Sequence, residues 1–181
     1  MSQADWARGL ASSLLAEPVP RRWAHSEGVA RQADRLAGIL GSDADLVAAA
    51  ALLHDIGYAP ALVRTGFHPL DGARYLRDVE RADDRLCRLV AHHSCAAIEA
   101  ARRGLRDELL AEFAPEREEL TQALIYCDMM TDPDGRQVSF DTRLAEILSR
   151  YGEDDVVSRS MQAAAPRIRQ AISAVEKQLA G

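Results

Sequence analysis

The chain is organised around residues 46–58, whose sequence is LVAAAALLHDIGY. The apolar run that opens this stretch predicts a helix buried on nearly all sides, which makes it the centre of the fold. The helix delivers His54 and Asp55 at its C-terminal end, and Gly57 then breaks it. An imidazole next to a carboxylate is costly to bury unless something polar receives both, and a divalent metal ion would do so. A histidine and an aspartate that simply cap a helix end are the alternative explanation.

The bulk composition indicates one soluble domain. The chain has 181 residues, 48% of them hydrophobic, which is enough for a single core over residues 1–181. Its net charge of −6 gives no electrostatic reason to expect a nucleic-acid polymer or a membrane as partner. Three cysteines without paired close spacing, a beginning without a secretory pattern and no apolar run near membrane-spanning length lead us to expect a cytoplasmic protein.

Helical periodicity recurs along the chain, and no alternating run is long enough for a strand. The sequence therefore predicts an all-α fold. Pro166 should kink or break the last helix. Besides the buried helix and a helix that begins at His68, the predicted helices span residues 4–16, 21–40, 81–93, 95–104, 105–113, 116–131, 141–150 and 154–180.

Polar residues that can bind a metal fall on apolar helix faces or at helix ends. A lone histidine on an apolar face is more often an ordinary core residue, but that explanation would have to be repeated for all five histidines of the chain. One binuclear metal centre would account for all of them together. The residues concerned are His25, His54, Asp55, His68, His92, His93 and Asp128.

The order of these residues resembles the HD-domain superfamily of metal-dependent phosphohydrolases. The matching stretches are HSEGV at 25–29, ALLHDIG at 51–57 and LIYCD at 124–128. The stretches HPLDGA at 68–73 and VAHH at 90–93 look like the extra histidines of the binuclear members. The resemblance covers about residues 20–132. It implies an all-α HD-domain helical bundle, with C-terminal helices at 141–180 packed on that core.

The resemblance also implies a ligand set for two divalent metal ions, most plausibly iron or manganese given the nitrogen and oxygen donors. The first ion would be held by His25, His54, Asp55 and Asp128. Asp55 would bridge to the second ion, which His68 and His92 would also bind. Either of the adjacent histidines fits this role; we favour His92, which leaves Asp55 and His93 as the groups closest to the chemistry.

The function implied by the resemblance is hydrolysis of a phosphate ester or anhydride in a nucleotide or small phosphorylated metabolite. Substrate contacts are expected from Tyr58, Arg64, Thr131 and Arg136, although the arginines have an equally simple explanation as solvated surface residues. Tyr58 stands where many members carry a basic residue, so it would offer a phenolic hydrogen bond. The terminal helices could form a homodimer face.

Two other functions use the same residues. A mixed-valence di-iron oxygenase of this superfamily needs the same six ligands, so the sequence alone does not separate it from a hydrolase. A non-catalytic module that binds a nucleotide is the second alternative, although such degenerate members generally lose ligands and none is missing here.

Overall fold

Helices make up most of residues 2–181, the part of the chain that the computed structural model describes; Met1, the first residue of the predicted domain, lies outside them. No strand occurs within this range, where the only extended pairing is an isolated bridge between Thr131 and Gln137. The all-α prediction is confirmed. The helices are α1 (Gln3–Leu15), α2 (Pro20–Arg35), α3 (Ala37–Leu40), α4 (Ala44–Leu53), α5 (His68–Asp78), α6 (Asp84–His92), α7 (Ala96–Arg103), α8 (Arg106–Glu112), α9 (Glu118–Met129), α10 (Phe140–Tyr151) and α11 (Val156–Ala180).

The central helix is α4, as the apolar run predicts. Its residues from Leu46 to Leu53 are each at most 7% exposed, because α1, α2, α6 and α9 all pack around it. The stretch Ala37–Tyr58 is long and apolar enough to cross a membrane. This differs from the expectation that no apolar run approaches membrane-spanning length. Half of the most apolar part of this stretch is buried inside the fold. A buried core helix has the same length and composition, so the stretch is weak evidence for a membrane span.

Helix boundaries follow local chemistry that periodicity does not reveal. The predicted helix at 21–40 is interrupted at Leu36, and the predicted helix at 81–93 begins only at Asp84. Asp83 caps that helix, since its Oδ1 accepts the N–H group of Arg85 at 2.9 Å. Of the kink or break expected at Pro166, the break does not occur: α11 is continuous, and the carbonyl that loses its partner belongs to the exposed Gln162.

The two C-terminal helices lie on one side of the bundle. Helix α11 packs along α9 and α7, and α10 packs on α11. This arrangement places α10 and the first half of α11 next to the C-terminal end of α4, where the His54–Asp55 pair lies.

Candidate metal centre

Three helices bring together a first group of potential metal ligands. His25 on α2, His54 at the end of α4 and Asp128 on α9 are all buried, and their ligand atoms lie within 4.8 Å of one another. The Nε2 atom of His25 is 2.9 Å from Oδ1 of Asp128, and Nε2 of His54 is 3.7 Å from the same oxygen. This is a compact set of two imidazoles and one carboxylate.

A second group of the same size adjoins the first. It consists of Asp55, His68 at the start of α5 and His93 just after α6. Oδ1 of Asp55 is 3.3 Å from Nε2 of His68 and 3.9 Å from Nε2 of His93, while Oδ2 is 3.6 Å from Nε2 of His54. The carboxylate of Asp55 therefore stands between the two groups, where a bridging ligand would be needed.

Backbone carbonyls fix the orientation of three of the imidazole rings. The Nδ1 atoms of His25, His54 and His93 lie 2.7–3.0 Å from carbonyl oxygens. These oxygens belong to Asp132, Ala51 and Val90, respectively. When Nδ1 donates its N–H group to a carbonyl, Nε2 keeps a free lone pair. All three Nε2 atoms face the cluster. This is the tautomer that a metal ion requires.

Two observations show that the donor set fits a cation. The buried Nε2 atom of His54 has no hydrogen-bond partner within residues 2–181. His25 lies between two acceptors, since its Nδ1 faces the carbonyl of Asp132 and its Nε2 faces Asp128. A neutral ring can donate to only one of them. A metal ion between the imidazoles and Asp128 would satisfy the orphaned nitrogen and the excess acceptor together.

The two carboxylates are held in their ionised form. Burial by itself raises the pKa of Asp128, but attraction to His54 and the hydrogen bond from His25 outweigh it, so that this pKa lies well below its ordinary value. Burial likewise opposes ionisation of Asp55, and attraction to His54 and to Arg22 lowers the pKa of Asp55 well below the ordinary value. Both residues are therefore anionic at neutral pH.

The histidines of the second group are held neutral. Burial lowers the pKa of His68 to about 4, against the opposing pull of Asp55. Burial also lowers the pKa of His93, with repulsion from His54 adding to the effect. Metal binding needs anionic carboxylates and neutral imidazoles, so the protein presents these residues in the protonation state suited to a cation.

Arg22 holds the Asp55 carboxylate through the oxygen that does not face His68 and His93. Its Nη1 donates to Oδ2 of Asp55 at 2.8 Å, and its Nη2 lies 3.3 Å from the hydroxyl oxygen of Tyr151. The guanidinium also stacks on Tyr58 at 3.8 Å from the ring centroid, and the other face of that ring stacks on His68 at 4.0 Å. Tyr58 thus fixes the His68 imidazole and lines the pocket in front of the site, where sequence reasoning placed it as a substrate contact.

A strained turn sets the position of His93. The backbone after α6 passes through Ser94 and Cys95 with φ values of 50° and 61°, which residues other than glycine rarely adopt. In this conformation the Ser94 hydroxyl donates a short hydrogen bond to Oδ2 of Asp128. The turn therefore connects the two ligand groups.

A glycine allows the His54–Asp55 segment to approach α5. A Cβ atom at Gly57 would lie 2.0 Å from the carbonyl oxygen of His68, so no side chain fits there. The first turn of α5, and with it the His68 imidazole, can reach Asp55 only because position 57 has no side chain.

The choice of His92 as a ligand is corrected by the structure. Nε2 of His92 lies 2.7 Å from the carbonyl oxygen of Phe113, away from both ligand groups, and His93 occupies the predicted place beside Asp55 and His68. The physical reason is that α6 ends at His92, so that His93 leaves the helix and turns toward the cluster.

The expected substrate contacts other than Tyr58 are not at the site. Arg64 is exposed, and its Nη1 donates to the carbonyl of Val63. Thr131 is fully buried, and its hydroxyl donates to the carbonyl of Cys127 at 2.7 Å. Arg136 is exposed in the turn after α9. None of the three lines the pocket.

The pocket in front of the two ligand groups has a volume of about 620 Å³, including its open mouth. Asp55, His68, His93 and Asp128 form its floor. Residues of α10 and α11 form the outer wall, which sequence reasoning did not assign to the site. The wall residues are Arg143, Ile147, Arg150, Tyr151, Val157, Ser160, Met161 and Ala164. Arg143 and Arg150 share one helix face by spacing, a signal that the sequence does contain.

Comparison with known proteins gives one family and a small set of partial relatives. A family model described as HD domain matches residues 22–169, well past the end of the resemblance at about residue 132. Ribonuclease Y of Aliarcobacter butzleri is 35% identical over 111 residues, which are 54% of this chain and 22% of that protein. Ribonuclease Y of Rhodopirellula baltica is 34% identical over 110 residues, which are 53% of this chain and 21% of that protein. The matches thus span about a fifth of each relative. No solved structure matches the chain.

Proposed function

The chain belongs to the HD domain family, a family of metal-dependent phosphohydrolases, and we propose that it hydrolyses a phosphoester bond in a nucleotide or other small phosphorylated metabolite. The observation that carries this proposal is the pair of buried His/Asp groups joined through Asp55. In this assignment His25, His54 and Asp128 would hold one divalent ion. His68 and His93 would hold a second ion, and Asp55 would be a ligand shared between the two groups.

Iron or manganese suits this set of imidazole and carboxylate donors. When bound, the two ions supply activation of water and neutralisation of charge on the phosphoryl oxygens. The three cysteines take no part in the assignment: Cys87 and Cys127 are buried in the core, and Cys95 lies at the pocket edge outside both groups.

The residues around the ligands have defined tasks in this proposal. Arg22 keeps Asp55 ionised and oriented, because it donates to Oδ2 and leaves Oδ1 facing the histidines. Ser94 orients Asp128 by donating a hydrogen bond to its Oδ2. The apolar side chains of Ile147 and Met161 close the outer side of the pocket and reduce access of bulk water to the reacting bond.

The shape and charge of the molecule favour a small substrate over a nucleic-acid polymer. The wall from α10 and α11 stands over the metal groups, and the net charge of −6 does not attract a polyanion. The relatives named Ribonuclease Y match only about a fifth of their length, so an RNA substrate is a competing expectation to be tested.

The test is turnover by protein loaded with manganese under anaerobic conditions. Nucleoside monophosphates, small sugar phosphates, a dinucleotide and a short RNA are offered as substrates. We expect phosphate release from the small substrates, little cleavage of the RNA, and a loss of at least about 100-fold in Asp55→Asn, which keeps the shape but removes the bridging charge. Asp84→Asn alters an exposed residue at the start of α6 and should behave as wild type.

Three outcomes would contradict the proposal. Turnover that needs oxygen and iron would identify an oxygenase. Nucleotide binding without turnover in any metal would identify a binding module. RNA cleavage faster than hydrolysis of the small phosphoesters would identify a nuclease.

A further inference from the structure

Two arginines on the outer wall of the pocket share a single carboxylate on their own helix. Arg143, Glu146 and Arg150 are spaced by three and four residues, so they share one face of α10. A carboxylate oxygen of Glu146 lies 2.5 Å from Nη1 of Arg143, and the other lies 3.3 Å from Nε of Arg150. One carboxylate therefore serves two guanidinium groups, and both arginines line the pocket.

Arg22, the third arginine of the pocket, is already engaged. Its two terminal nitrogens are used by Asp55 and the Tyr151 hydroxyl, and its flat face is covered by Tyr58. A ligand that drew these donors away would weaken the bond that orients Asp55. Arg22 is a positioning residue for the metal ligands.

Arg143, unlike Arg22, has a side-chain donor without a partner. Its side chain is only 4% exposed, yet its Nε atom has no hydrogen-bond partner within residues 2–181. A buried charged donor without an acceptor is costly, so such a group normally has a partner. Arg143 lines the same pocket as Asp128, and it also lines the smaller cavity beside His25. The Arg143 side chain therefore borders the space between α10 and the two ligand groups.

We propose that Arg143 and Arg150 bind the free oxygens of a phosphoryl group, and that the substrate is a phosphomonoester. A guanidinium presents two parallel donors that match two phosphate oxygens. A monoester has three free oxygens to share between the arginines and the metal centre, whereas an internal diester has two and must route a second substituent past the α10 wall. The place of this step in catalysis rests on the proposed function, but phosphate recognition can be tested without turnover.

The experiment is calorimetric titration of manganese-loaded protein with inorganic phosphate. We expect Arg143→Gln to weaken phosphate binding about tenfold or more, and Arg150→Gln to weaken it by a smaller factor because this residue is nearer the pocket mouth. Arg143→Lys should recover part of the loss. Arg169→Gln is the matched control: Arg169 on α11 donates to Asp141 on α10, neither residue lines the pocket, and the variant should bind phosphate as wild type does.

Steady-state kinetics with a phosphomonoester substrate is the second measurement. Loss of a substrate-binding arginine should raise KM about tenfold and change kcat much less, with metal content unchanged. Should Arg143→Gln fail to fold, Arg150→Gln and Arg143→Lys carry the same test. Wild-type phosphate affinity in both Arg143→Lys and Arg150→Gln, or a preference for diesters, would overturn the inference.

The two proposals fail in different ways. Arginine-dependent phosphate binding by a protein that turns over no phosphoester would overturn the proposed hydrolysis and support the phosphate site. Phosphomonoester turnover that is indifferent to both arginines would support the hydrolysis and overturn the phosphate site.

Discussion

At the scale of single residues, Asp55 is the side chain on which the site depends. It is 3% exposed, and both of its oxygens are occupied: Arg22 approaches Oδ2, and His68 and His93 face Oδ1. No other residue of the described chain contacts both ligand groups and the supporting arginine.

The adjacent histidines should behave differently when replaced. His93→Gln is expected to remove one of the two metal ions, because His93 is a ligand in our assignment. His92→Gln should keep both ions and lower the free energy of unfolding by about 1–3 kcal/mol, because the carbonyl of Phe113 loses its partner. Metal analysis and urea unfolding of the two variants check this. Loss of metal in His92→Gln with full metal in His93→Gln would restore the original sequence-based choice.

The structure brings most of the predicted ligands together and places His93, not His92, beside Asp55 and His68. His25, His54, His68 and Asp128 could be found because each is a polar residue on an apolar face or at a helix end. The choice between His92 and His93 depended on where α6 ends, since neighbouring helical residues point about 100° apart. That end is set by the left-handed conformations of Ser94 and Cys95, which no periodicity reveals.

The pKa of His68 predicts how stability depends on pH in the metal-free protein. Folded His68 takes up its proton near pH 4, whereas the unfolded chain does so near 6.5. Between these values the unfolded state binds more protons, so the free energy of unfolding should fall as the pH falls from about 6.5 to 4. Urea unfolding across this range should show the decline, and His68→Gln should make it shallower. A variant curve as steep as wild type would show that His68 is not its source.

At the scale of the helices, the close approach between the turn after α4 and the start of α5 is what places His68. Gly57→Ala should lower the free energy of unfolding by about 1–3 kcal/mol or more and reduce metal content, because the new Cβ would overlap the carbonyl oxygen of His68. Gly9→Ala is the control: nothing lies near that position in α1, so the change should stabilise the protein by about 0.5–1 kcal/mol. Full stability and metal content in Gly57→Ala would contradict this account.

The helices themselves were largely predictable, but their contribution to the pocket was not. Apolar periodicity located α10 and α11 to within a few residues. It could not show which face of α10 covers the metal groups, because Arg143 and Arg150 look like ordinary solvated residues of an amphipathic helix. Arg64 and Arg136 are predicted as substrate contacts because they lie close to the ligands in sequence. Closeness along the chain does not determine where a loop places its side chains.

At the scale of the whole molecule, the fold joins a buried apolar helix to two ligand groups and then covers them with a C-terminal wall. The wall encloses the pocket in which we propose that a small phosphoester binds. Its arginines and its apolar residues lie on helices that the family match includes up to residue 169. The metal groups account for the proposed type of reaction, and the wall accounts for the proposed size and charge of the substrate.

The most direct test of the central claim is the number of metal ions per chain in protein purified without chelator, measured by elemental analysis. We expect about two ions in the wild type and in Asp84→Asn, and almost none in Asp55→Ala, because a bridging ligand serves both positions. Two ions retained by Asp55→Ala, or none bound by the wild type after incubation with iron or manganese, would contradict the account.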